Sequence, residues 1–375
     1  MTNRERLLSL LRGEPADRVP CWLLFPYHKL GCYADVRNEP TYRSVFEASR
    51  RQAMMLNRRT LRAGSLYTPD VQTRRERVTE DGWKIERDHV EYRDVHLVAE
   101  KRTRPGEVRI KKLIDTEEDL LAFSALPFNT DRAAIQAELS RQLPVLRAEQ
   151  AEFPMEYGAM MLSQGEPIGD LYSQANLTEY PVWSLTQPVA VKRLLETLMI
   201  RYRHVYEFCL AHELAEVYFM VGSELASPPM FSRATFQEWV VPYARELIAM
   251  AHSAGCHVIQ HYHGQIREIL PDFLTMGADA LHTIEAPPVG NCTFTQAFDV
   301  VGDRLTLIGN VQYDRFRSCQ PGEMREEVRQ ILAECRGRRL ILSPSAGPYE
   351  PVISETMIRN YHAFLDAAWE FGGRT

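Results

Sequence analysis

Apolar residues along this chain fall into recurring short blocks. Near the start, Leu7, Leu8, Leu10 and Leu11 form the inward face of a helix that Asn3 caps and that Gly13 and Pro15 end, because a short polar side chain satisfies free helix amides and glycine and proline break the repeat. Residues 19–25 are then apolar apart from the backbone-restricting Pro20, as in a parallel strand buried on both faces. Further apolar runs at 156–162, 216–221, 257–260, 280–284, 305–308 and 340–342 alternate with longer helical stretches. Strand then helix, repeated, predicts an α/β fold with a parallel sheet.

Residues 70–115 have a different texture. Charged, alternating segments surround Asp81-Gly82, a hairpin dipeptide, and a second turn at Pro105-Gly106, which predicts an antiparallel β-hairpin insertion near the N-terminal third. Arg74, Arg75, Glu76 and Arg77 within it read as solvated surface.

Charge narrows the partner. The 44 basic residues are scattered among 50 acidic ones for a net charge of −6, which argues against a basic nucleic-acid face. Apolar runs fall short of the roughly 20 residues of a membrane span, and the charged amino end is unlike a signal peptide. Seven widely spaced cysteines include no CxxC pair, as suits reduced thiols in the cytoplasm. None is assigned to a disulfide or a metal. The expected partner is a small molecule, with no nucleic acid and no membrane.

Polar residues gather just after the strands: Glu224, His261, His263, Glu285, Asn310, Ser343 and Ser345. In a closed barrel or an open doubly wound sheet, these carboxyl ends converge on the functional face. The sharpest signal is His261-Tyr262-His263-Gly264, because residues i and i+2 of an extended segment point the same way and can share a metal ion. Glu285 follows His263 by 22 residues, one helix and one strand of a barrel unit. Two imidazoles and a carboxylate match an open catalytic zinc site or another first-row divalent metal. The plainer reading keeps the histidines as hydrogen-bonding groups and Glu285 as a loop cap.

Residues 222–232 read as a loop that delivers a helix near Ser232 and places Glu224 at the mouth as a catalytic acid, base or ligand, or as an acceptor for loop amides. Glu166, between Gly165 and Pro167, together with Tyr27, His28, Asn310 and Ser345, are the candidate substrate contacts.

The opening Arg4-Glu5-Arg6-Leu7-Leu8, the stretch from Leu11-Arg12-Gly13-Glu14-Pro15 to Pro20, and later landmarks at 226–242, 254–264 and 343–351 resemble the uroporphyrinogen decarboxylase superfamily over nearly the whole chain. The resemblance implies one (β/α)8 TIM-barrel domain over residues 1–375, carrying the insertion, and a homodimer. The arginine-rich porphyrin clamp of true decarboxylases is replaced here by Phe25-Pro26-Tyr27-His28-Lys29-Leu30-Gly31. Corrinoid-linked methyltransferases of the superfamily hold zinc with His-x-Cys and a later cysteine. His261 matches the histidine, His263 stands for the first cysteine, and no cysteine lies near Ser345-Ala346. Glu285 falls where the related cobalamin-independent methionine synthases place a glutamate ligand.

The expectation is a metal-dependent, methyltransferase-like enzyme that acts on a small-molecule acceptor, with zinc as the metal and a corrinoid protein as methyl donor. Glu224 would deprotonate or orient the acceptor. The alternatives are a metal-free decarboxylase of a small aromatic or pyrrolic acid, and a ligand-binding barrel without catalysis.

Overall fold

The computed structural model describes residues 1–221 and 223–373. Seven parallel strands run in the order β1 (Met55–Arg59), β6 (Gly158–Leu162), β7 (Val217–Val221), β8 (His257–His261), β9 (Ala280–His282), β10 (Thr306–Val311) and β11 (Leu340–Pro344). Residues 20–22 join the two edges. Cys21 bridges Leu342 and Trp22 bridges Met54, both in parallel. Leu342 N–H donates to Pro20 at 2.9 Å, Trp22 N–H to Leu342 at 2.8 Å and Met54 N–H to Cys21 at 2.7 Å. An eighth strand position therefore closes the (β/α)8 barrel.

That eighth position is shorter than the run at 19–25 predicts. Leu24 turns to a φ of 61° and ends the extended path. Strand β1 is absent from the sequence reading because three of its five residues, Asn57-Arg58-Arg59, are polar. The helix Asn3–Leu11 forms, but its cap is Thr2, not Asn3. Thr2 Oγ1 accepts from Glu5 N–H while the Glu5 carboxylate accepts from Thr2 N–H, a reciprocal box that satisfies two otherwise unpaired amides.

Side chains alternate across each strand. In β6, Ala159 and Met161 join the inner core, while Met160 and Leu162 pack outward against the helices. Leu7, Leu10 and Leu11 belong to the inner cluster with Trp22, Phe219 and Ile259, so the amino-terminal helix packs on the barrel interior. Thr306 Oγ1 and Arg339 each donate to the Leu10 carbonyl at 2.8 Å, and this ties that helix to β10 and β11.

The insertion is one antiparallel sheet of four strands: β2 (Gln72–Glu80), β3 (Trp83–Tyr92), β4 (Val95–Arg104) and β5 (Glu107–Lys111). Asp81 and Gly82, at φ 48° and 77°, make the first turn in the left-handed conformation that tight hairpins require. Within the described residues, no helix is long and apolar enough to cross a membrane. All seven cysteines are free.

Gly158 opens β6 where that strand meets β1, and a Cβ there would lie 1.9 Å from the Met55 carbonyl oxygen. Gly158→Ala must push two paired strands apart, at a cost of about 1–3 kcal/mol or more. The expected result is a lower urea midpoint with an unchanged slope; a wild-type midpoint would contradict this packing.

Candidate active site at the barrel mouth

Strands β8 and β9 pair in register so that His261 lies beside His282. Their rings stack 4.8 Å apart, and the two Nδ1 atoms are 2.7 Å apart. The proton order follows from the far side of His282, whose Nε2 lies 3.2 Å from the Pro344 carbonyl oxygen. A carbonyl only accepts, so this Nε2 carries the hydrogen. Burial, opposed by the bond to Pro344, holds the His282 pKa down to about 3, so the ring is neutral and its Nδ1 is an acceptor. His261 must then donate from Nδ1, which leaves its Nε2 with a lone pair. Burial first, and then the proximity of His282, His263 and the Arg58 guanidinium, keep His261 neutral as well.

His263 is anchored in a parallel way. Its Nδ1 is 3.2 Å from Glu285 Oε2, which also accepts from Gly264 N–H at 2.8 Å. Gln312 donates to Glu285 Oε1 at 3.3 Å, and Ser345 Oγ donates to Gln312 Oε1 at 3.2 Å. Burial would raise the Glu285 pKa, but the bonds from His263, Gly264 and Gln312 and the charge on His263 hold it below the ordinary value. For His263, burial pulls down while Glu285 and Glu224 pull up, and the net shift is upward. Ser345, Glu285 and His263 are thus one chain, which Gln312 connects.

Glu224 sits in the turn Ser223–Ala226, close enough to act electrostatically on His263 and on Glu166. Gly222, the start of the predicted loop, lies outside the described residues, and Ser232 caps the helix Arg233–Trp239 as predicted. Glu166 is 2% exposed and its Oε2 has no hydrogen-bond partner among the described residues. Burial, with the Glu224 charge adding to it and Ser223 opposing, raises its pKa to about 8.

Tyr27 and His28 have partners within the chain. Tyr27 packs on Phe153 and Phe46 under the Arg37 guanidinium. His28 accepts from Asn57 Nδ2 and donates to Glu152, both at 3.0 Å. Asn310 is half-buried on β10, in register with Ser343 of β11.

Three participants escape the sequence reading: His282, Gln312 and Arg58. Arg58, on β1, donates to Ser163 at 3.0 Å, lies 4.9 Å over the Phe219 ring and acts electrostatically on both His261 and His282. Its buried Nε has no partner among the described residues. The signal for His282 was its place at the end of an apolar strand, three residues before Glu285.

Two imidazoles whose Nδ1 atoms are fixed by second partners fit the usual pattern of metal-ligating histidine. Glu285 fits the orienting role better than a direct ligand's, since both its oxygens are already in use. Ligand atoms of His261, His263 and Glu285 do not all lie within 4.8 Å of one another; among the described residues, a group that does is His89, Glu91 and His96.

The family model for uroporphyrinogen decarboxylase (URO-D) matches residues 172–371, more than half of the chain and all of the histidine site. The chain belongs to the URO-D family. No curated protein sequence matches it significantly. Among solved structures, a methyltransferase from Methanosarcina mazei is 16% identical, covers 99% of both chains and superposes with a TM-score of 0.57, a likeness of fold. A candidate orotidine 5′-phosphate decarboxylase from Streptomyces avermitilis, 14% identical over 47% of this chain and 81% of its own, reaches a TM-score of only 0.26 and carries no argument. This URO-D family member keeps the barrel and lines its mouth with imidazoles.

The raised Glu166 pKa has a definite sign. The folded state prefers the neutral carboxyl, so this stabilising preference is complete below the unfolded pKa near 4.5 and is lost as pH rises toward about 8. Glu166→Gln should remove that loss and be more stable than wild type by a few kcal/mol above pH 8. Urea denaturation at pH 5 and pH 9 checks it, and an equal pH response in both proteins would contradict the burial argument.

Proposed function

We propose that the barrel mouth catalyses methyl transfer to a small-molecule acceptor, with a divalent metal, zinc by resemblance to the zinc-holding methyltransferases of the superfamily, held by His261 and His263. The observation that carries this reading is the pair of anchored imidazoles: His282 and Pro344 fix His261, and Glu285, Gln312 and Ser345 fix His263. Membership of the URO-D family and the fold likeness to a methyltransferase support it. A metal bound there supplies Lewis acidity that lowers the pKa of an acceptor thiol or hydroxyl.

The residues of the chain do the rest. Glu224, beside His263, takes the acceptor proton. The acceptor heteroatom then attacks the methyl carbon, and the bond to the donor breaks with its electron pair leaving on the donor. A corrinoid protein is the proposed methyl donor, by resemblance to the corrinoid-linked methyltransferases of the superfamily. Arg58 holds an anionic group of the acceptor, because its Nε is buried and lacks a partner and a guanidinium pairs with carboxylates in fixed geometry. Catalysis in the cytoplasm and a homodimeric assembly complete the proposal.

Metal-free decarboxylation is the second reading. Glu166 favours it, since a carboxyl kept neutral to about pH 8 can protonate a carbanion after carbon dioxide leaves.

Elemental analysis of purified protein should show a metal equivalent that is lost in both His261→Ala and His263→Ala, with methyl transfer falling at least about 100-fold. Arg58→Ala should keep that metal and raise the acceptor KM about 10-fold or more. Metal content unchanged in both histidine variants, with activity unaffected by chelator, would overturn the methyltransferase reading. Release of carbon dioxide instead would favour the second.

A further inference from the structure

The four-stranded insertion carries its own histidine cluster. Strand β3 sets His89 and Glu91 on one face, and the register with β4 places His96 opposite Glu91. His89 Nδ1 is 3.3 Å from His96 Nε2, and the same His96 nitrogen is 3.4 Å from Glu91 Oε1. Ligand atoms of the three residues lie within 4.8 Å of one another.

We propose that His89, Glu91 and His96 form a second metal site, selective for zinc-class divalent cations. The spacing supports it. Bonds of about 2.0–2.1 Å to a tetrahedral zinc put neighbouring ligand atoms about 3.3–3.4 Å apart, the separation seen for two of the three pairs, and the third lies within 4.8 Å. The donor set of two imidazoles and one carboxylate suits zinc and its first-row neighbours better than calcium or magnesium. Without an ion, the single Nε2 proton that a neutral His96 can carry cannot satisfy both His89 and Glu91.

A second observation concerns the far side of His89. This residue is only 9% exposed, and its Nε2 has no hydrogen-bond partner among the described residues. Glu76 Oε2 lies 3.5 Å from that nitrogen. Ligation through Nδ1 fixes the hydrogen on Nε2, where the carboxylate attracts it, giving the carboxylate–histidine–metal arrangement of ordinary sites. Arg87, the nearby cation on the same strand face, is already engaged by Glu76 and Glu100, so its charge is compensated. His96 and Glu91 have side chains 57% and 45% exposed, which leaves an open position for water and a path for the ion to enter. The bound ion would pin β3 to β4 beside the turn at Arg93 and Asp94.

This site stands independently of the barrel-mouth reading, and one titration separates them. Chelator-treated full-length protein is titrated with zinc by calorimetry and checked by elemental analysis. His96→Ala is the primary variant because the side chain is exposed, and His89→Gln is the second. Each should lose one equivalent of zinc at micromolar free metal, while His261→Ala/His263→Ala keeps that equivalent. If the barrel reading alone is wrong, wild type binds one equivalent and His96→Ala none. Wild-type stoichiometry and affinity in both insertion variants would overturn the proposal.

Discussion

Closure of the parallel sheet by residues 20–22 is the constraint on which the functional end of this barrel rests. That segment reads poorly as a strand, since it begins at a proline and pairs over only two residues, yet its backbone is bonded to β11 on one side and to the entry of β1 on the other. Closure delivers Trp22 into the interior. There its ring meets His282 at 5.7 Å and Phe219 at 5.9 Å, both edge-on, and Phe219 in turn packs on His261 at 5.2 Å. The apolar wall that keeps these imidazoles neutral is therefore built partly by the closing strand.

Neutrality gives the site its chemical direction. A buried imidazole avoids charge, and a carbonyl can only accept, so Pro344 sets the hydrogen on His282 and His282 sets it on His261. The lone pair on His261 Nε2 is the end of a chain of hydrogen bonds that starts in the backbone of β11. On the other side, a carboxylate held ionised by three donors orients His263. One histidine is thus positioned by neutral groups and the other by a charge, and the two differ in basicity accordingly.

Much of this was legible in the sequence. Alternating strand and helix texture predicted the parallel sheet, the resemblance to the superfamily implied its closure into a barrel, the Asp81-Gly82 dipeptide placed the insertion, and strand-end polarity picked His261, His263, Glu285 and Ser345. What escaped depends on register and on side-chain direction. His282 matters because β9 pairs beside β8 at His261, and no spacing rule in one sequence states that pairing. Arg58 and Asn57 lie on a strand whose polarity hid it, although an arginine set over the ring of an inner-core phenylalanine is an unusual feature. Tyr27 and His28 are placed by a turn that no strand pattern shows. They follow a strand in sequence, and after the turn at Leu24 they pack against Phe46, Phe153 and Glu152. Asn3 and Thr2 compete as caps in any sequence reading, and the reciprocal bond to Glu5 decides for Thr2.

The most direct test of this account is the tautomeric state of the barrel-mouth histidines in metal-free protein at neutral pH, read from two-bond nitrogen–proton NMR correlations and assigned with His261→Gln and His282→Gln variants. The account predicts a neutral His282 with its hydrogen on Nε2 and a neutral His261 with its hydrogen on Nδ1. A His261 ring that is protonated, or that carries its hydrogen on Nε2, would contradict it, because the nitrogen assigned to ligation would then have no lone pair to offer.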